Sequence, residues 1–177
     1  TYQLNDLFKS LDAKFNTLFG YDNAAKDFRE FYSSKEESKT NEYTDKFKGK
    51  NVVVILMESV NEGIINEEYF PNFYKLYSEG WHWTNNYSPR NSCATGNNEF
   101  SLMTGLYSIY NTCTSNTYKD NTYFESIFGL FNNAGYTTRS FHDYTEWYYY
   151  RNTIHSNMYS EKYLDIDDLN MSIKGIY

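Results

Sequence analysis

An α/β fold on a parallel sheet is what this sequence predicts, and three observations predict it. Residues 52–57, Val-Val-Val-Ile-Leu-Met, form a continuous apolar run, too short to cross a membrane and right for a strand buried on both faces. Strand-like and helix-like segments alternate downstream of it, which is the pattern of parallel α/β sheets. The run also ends on a carboxylate, Glu58, and open α/β sheets collect their chemistry just beyond the carboxyl ends of their strands.

Residues 1–50 differ from the rest and are read as an N-terminal helix with a charged connector. Leu4, Leu7, Phe8, Leu11 and Phe15 recur at helical spacing, predicting an amphipathic helix over 3–18, and the apolar-poor stretch 33–50 reads as solvated. The compact domain is residues 51–177. After the strand over 52–57, Pro71 opens a helix that Gly80 stops after Glu79. A short strand is expected over 81–86, a helix over 97–104, a helix over 122–133 closing at Gly135, and a third strand over 136–141. The segment 147–157 reads as a helix, although Tyr148-Tyr149-Tyr150 also fits a strand. The abrupt start and end suggest a piece of a longer protein, so a sheet edge is expected to lie uncovered, with self-association or a rearranged sheet as the consequence.

The chain of 177 residues carries a net charge of −7, 20 Tyr and 13 Phe. An acidic chain argues against nucleic-acid binding, which needs clustered Lys and Arg. Tyrosine suits both packed interiors and glycan surfaces, so a non-catalytic glycan-binding module stays open as a reading. Any attraction to an anionic ligand must be local, from Arg90, Arg139 and Arg151. Cys93 and Cys113 are the only cysteines. They either form one disulfide, which would favour an extracytoplasmic location, or remain two free thiols.

Two residues carry the candidate chemistry. Glu58 either ligates a hard divalent cation or simply caps a helix or faces water. Thr95 stands at the head of a predicted helix, where an N-cap role and an anion-side hydroxyl nucleophile are compatible. Ser92 is the rival hydroxyl, in the loop that holds Arg90.

Taken together, Val-Val-Val-Ile-Leu-Met-Glu-Ser, Pro-Asn-Phe-Tyr-Lys-Leu, Ala-Thr-Gly-Asn-Asn-Glu-Phe and Gly-Leu-Tyr resemble the lipoteichoic acid synthase family of the alkaline phosphatase/sulfatase superfamily. The resemblance covers residues 51 to about 165. It implies a three-layer sheet with flanking helices, here truncated to the N-terminal half of the catalytic domain. It also implies that Glu58 is a metal ligand, that Thr95 is both nucleophile and metal ligand, and that Glu99-Phe100 is the pair trailing the nucleophile. His142, at the end of the third strand, Tyr149 and Arg151 match the positions that touch the glycerol-phosphate group. Tyr149 stands where the family has Trp. His82 and His155 match nothing and are read as structural.

The implied activity is transfer of glycerol phosphate from a phosphatidylglycerol-type lipid to a cell-envelope polymer through a threonine intermediate. Mn²⁺ is the implied metal, and the implied setting is the extracellular face of the cell membrane, with tethering through a segment outside this chain. The family completes its metal site with an Asp-His pair further on. Asp165, Asp167 and Asp168 are not followed by His, so this chain alone is expected to bind metal weakly and to be inactive. The alternative within the superfamily is a hydrolase, a sulfatase or phosphodiesterase. The sequence Cys93-Ala94-Thr95-Gly96-Asn97 lacks the Pro/Ser and Arg that sulfatases place around a modified cysteine.

Overall fold

The computed structural model describes residues 26–31, 33–36, 39–88 and 92–171. The helix expected over 3–18, and Arg90, lie outside these residues. The chain divides into two units between Val53 and Val54. In the first, residues 26–31 are helical and the described residues of 33–50 are exposed. Local contacts hold that stretch, such as the Lys39–Glu36 pair and the turn in which Asn41 Oδ1 accepts from the Tyr43 amide.

The second unit is α/β, with five α-helices, two 3₁₀ turns and two strands among the described residues. Helix α1 is Pro71–Glu79, α2 Ala94–Thr104, α3 Thr114–Thr117 and α4 Ile127–Asn133. Strand β1 is Arg139–Phe141, α5 is Arg151–Asn157, and β2 is Lys162–Leu164. The boundaries of α1 are those its Pro and Gly predict. Pro71 supplies the fixed φ of a first turn, and the Gly80 amide closes on the Leu76 carbonyl. Helix α2 begins three residues earlier than its apolar pattern suggests, and it ends on Gly105 at φ 70°, the left-handed stop that glycine adopts without strain.

β1 and β2 pair in parallel, Arg139 with Lys162, Ser140 with Tyr163 and Phe141 with Leu164. The His142 amide donates to the Leu164 carbonyl and extends the ladder by one bond. Parallel strands need a crossover, and α5 lies within it. The sheet has only these two strands among the described residues, so the three-layer sheet is reached only in part.

Two predicted strands are corrected. Residues 52–57 form no strand, with Val53 82% and Ile55 73% exposed. Apolar content makes a strand only where a neighbour receives its amides and carbonyls, and no described residue does so here. Residues 81–86 form no strand either, and Trp81 and Trp83 are largely exposed. The segment 147–157 resolves into a 3₁₀ turn, Tyr148–Tyr150, followed by α5.

The core is where the helices meet: Phe100 and Met103 of α2, Phe128 of α4, and Ile154 and Met158 at α5, with Tyr123 and Ile127 packed against them. Full burial of side chains of this size contributes about 1.5–3 kcal/mol each. Polar pins join the same elements. Ser126 caps α4 by accepting from the Gly129 amide and donates its hydroxyl hydrogen to the Met158 carbonyl. Asp165 is buried and accepts from the amides of Asp167, Asp168 and Glu146, which ties the loop after β1 to the end of β2.

Candidate active site

The site is built on the first turn of α2. Cys93 precedes the helix at φ 63°, and Ala94 and Thr95 are its first two residues. Thr95 is therefore inside the helix rather than its cap, and its hydroxyl is free for other work. It donates to Glu58 Oε1 at 3.1 Å. The two candidates named from the sequence thus meet, although 37 residues separate them. Glu58 lies in the turn that follows the apolar run and is exposed, while Thr95 is half-buried. Ser92, the rival hydroxyl, is not the residue that meets Glu58; its carbonyl accepts from Asn97 Nδ2.

Two features hold that first turn in place. Cys93 and Cys113 are disulfide-bonded with Cα atoms 5.0 Å apart, which resolves the alternative the sequence leaves open. Asn97 is wholly buried, donates to the Ser92 and Thr112 carbonyls, and accepts from the Thr114 amide. Both lock the start of α2 against α3. Closing a loop of about 20 residues stabilises by about 3 kcal/mol. Cys113→Ser is therefore expected to lower the urea midpoint under oxidising conditions, and added reductant should produce the same loss in the parent protein. An unchanged midpoint would contradict the bond.

The second half of the site is Arg151, at the start of α5. It is 4% exposed. Its Nε donates to Glu99 Oε2 at 2.8 Å and to Oε1 at 3.1 Å, its Nη2 is ion-paired with Oε2 at 2.8 Å, and its Nη1 is 3.0 Å from His142 Nε2. An arginine only donates, so His142 Nε2 accepts and the ring is neutral, with its proton on Nδ1. Burial and then the Arg151 charge hold the His142 pKa below the usual histidine range. The rings of Tyr148 and Tyr149 lie over the guanidinium, with centroids 5.7 and 5.1 Å from Cζ. Tyr149 also packs on Gly96, where a Cβ would stand 3.4 Å from the tyrosine ring and 3.3 Å from Ser115 Oγ. Burial, then Tyr148 and Glu58, push the Tyr149 phenol up.

Glu99 connects the halves. Besides Arg151 it accepts from His155 Nε2 at 2.7 Å. Burial alone would raise its pKa, but the His155 hydrogen bond and the charges of His155 and Arg151 outweigh it and leave the carboxyl below its usual value. His155, read from sequence as structural, is buried at 6% exposure against this carboxylate. The signal that could have found it is its position four residues after Arg151 in the same helix, a spacing that puts both on one face. Backbone strain gathers here too. Cys93, Tyr149 and Tyr150 have φ of 63°, 58° and 52°, a rare conformation for non-glycine residues that clusters at functional sites.

Of the five residues named from sequence, Glu58 and Thr95 meet directly, and His142, Tyr149 and Arg151 form one contact group. A small cavity beside the Glu99–Arg151 pair opens onto the core residues Phe100, Ile154 and Met158 and has room for about one water. The Glu58–Thr95 pair offers two oxygen donors, of the type hard cations prefer. No group of three or more His, Cys, Asp or Glu able to hold a metal occurs among the described residues, so the pair fits part of a metal site and not a whole one. Among the described residues no helix is long and apolar enough to cross a membrane.

Comparison with known proteins gives one match. The family model described as Sulfatase matches residues 50–175, an extent that contains every residue of the site. This superfamily has an α/β fold and is typically metal-dependent. No curated protein and no solved structure matches the chain.

Proposed function

Since the chain belongs to the sulfatase family, we propose that it is the nucleophile-bearing part of a phosphoglycerol transferase acting on a glycerophospholipid. The observation that carries this reading is the Thr95 hydroxyl donating to a carboxylate, Glu58, at 3.1 Å. A threonine hydroxyl is a weak nucleophile until a neighbouring group draws its proton away. In the proposed reaction Thr95 Oγ1 attacks the phosphorus of the lipid's diester. The bond from phosphorus to the diacylglycerol oxygen breaks, and that oxygen leaves with a proton. The polymer hydroxyl then attacks the phosphorus of the glycerophospho-threonine, the bond from phosphorus to Thr95 Oγ1 breaks, the whole glycerophosphoryl group moves to the polymer, and the acceptor's proton restores the Thr95 hydroxyl. Arg151 donates to the phosphate oxygens, a task to which the planar fork of arginine is suited, and His142, which accepts from Arg151 Nη1, gives up that contact as the anion enters.

Glu58 and Thr95 would be two of the oxygen ligands of a divalent ion, Mn²⁺ by resemblance, with the others from outside the described residues. Such an ion lowers the pKa of a bound hydroxyl and offsets phosphate charge. The Cys93–Cys113 disulfide supports an oxidising, extracytoplasmic setting, in keeping with action at the outer face of a cell membrane. The family match itself favours a second reading, hydrolysis of a sulfate or phosphate ester with water as the acceptor.

The test is Thr95→Ala in the protein that carries this chain, assayed with phosphatidylglycerol and followed by mass spectrometry of the Thr95 peptide. Transfer is expected to fall by at least about a thousandfold, and the wild-type peptide should carry one glycerophosphate. Retained transfer in the variant would sink the proposal. Release of free glycerol phosphate by the wild type, without polymer growth, would select the hydrolase.

A further inference from the structure

Glu99 stands one helical turn after Thr95 on α2, at the i, i+4 spacing that puts two side chains on one face. Its side chain is 16% exposed, and both of its oxygens are occupied. Both accept from Arg151 Nε, Oε2 is also ion-paired with Arg151 Nη2 at 2.8 Å, and Oε1 also accepts from His155 Nε2 at 2.7 Å. This side-on pairing takes one edge of the guanidinium. Nη1, which takes no part in that pairing, has His142 Nε2 at 3.0 Å.

We propose that Glu99 is a positioning residue, which clamps the guanidinium of Arg151 at a fixed spacing from the Thr95 hydroxyl so that Nη1 is presented to the oxygens of a phosphodiester. The proposal rests on the phosphodiester reading above. Arginine has several rotatable bonds, and a two-point clamp removes that freedom before the anion arrives, which lowers the cost of binding. One rigid helix carries both the nucleophile and the clamp, so the clamp ties the position of the arginine to that of the attacking oxygen. His155, buried on Oε1, stops the carboxylate from turning away. The Tyr148 and Tyr149 rings cover the guanidinium and Arg151 is 4% exposed, so the incoming anion enters by displacing His142 Nε2 from Nη1.

The experiment titrates glycerophosphoglycerol, a soluble diester with a single negative charge, into the protein and into Glu99→Gln, Arg151→Lys and the double variant by calorimetry. Each single variant is expected to bind about tenfold more weakly, and the double variant no more weakly than Arg151→Lys alone. A purely structural role for Glu99 would make the losses multiply, and that result, or full affinity in a folded Glu99→Gln, overturns the proposal. The clamp is also read without ligand or mutation, as an Arg151 Nε–H resonance protected from exchange in the wild-type protein. Its absence overturns the proposal even if Glu99→Gln does not fold. Failure of the wild type to bind the diester, with that resonance present, removes the phosphodiester reading and this proposal with it.

Discussion

Glu99→Ala is expected to destabilise the second unit by about 3–5 kcal/mol, the cost of leaving a buried charge without its partner. Arg151 and His155 are 4% and 6% exposed, so neither can turn to water without opening the contact between α2 and α5. The shortened side chain also leaves a space beside Phe100 and Ile154. Glu99→Gln keeps the shape and one acceptor oxygen and should cost distinctly less. Urea unfolding of the two variants measures the difference, and an Ala variant within about 1 kcal/mol of the wild type would show that the network carries little stability. The pH dependence has a definite sign. The folded pKa of Glu99 is lowered, so its contribution is fully present above the unfolded carboxylate value and is lost as pH falls through the folded value. Stability should therefore drop as pH falls below about 4.5, and the Ala variant should show a shallower acid loss than the wild type.

Gly129→Ala is expected to be as damaging for a different reason. A Cβ at this position would stand 2.1 Å from the Phe124 carbonyl oxygen, and that atom is backbone, so no side-chain rotation relieves the clash. The Gly129 amide is also the donor to the Ser126 cap, and Ser126 holds α4 to the Met158 carbonyl. Separating α4 from that segment would loosen Phe128 from Ile154 and Met158 in the core. A loss of about 3 kcal/mol is expected, seen as a lower thermal midpoint and faster exchange of the α4 amides. A midpoint unchanged from the wild type would mean that this approach of chain to helix is wider than 2.1 Å.

The two effects separate what local chemistry encodes from what packing decides. The α1 limits follow from Pro71 and Gly80, because a fixed φ and a helix stop act on their own residues. The pairing of Glu58 with Thr95 was also legible, since a carboxylate after an apolar run and a hydroxyl at a helix start are recognisable in an ordered set of motifs. His155 was not legible as a partner of Glu99. A histidine looks the same in sequence whether it faces water or a buried carboxylate, and only the packing of α5 on α2 brings the two to 2.7 Å. Glu99 was visible as a residue that follows Thr95, but its grip on Arg151 spans 52 positions.

The strands show the same division more sharply. The residues of 52–57 have every local preference of a buried strand and are exposed, while the short segments 139–141 and 162–164 are the ones that pair. The sequence by itself determined the limits of α1, the candidate pair Glu58 and Thr95 and the sulfatase superfamily, because capping, side-chain chemistry and motif order are properties of neighbouring residues. Only the tertiary structure decided which segments form a sheet, that Cys93 and Cys113 are joined, and that Arg151 is buried on Glu99 and His142. Those are contacts between distant residues, and their free energy depends on what the rest of the chain brings alongside.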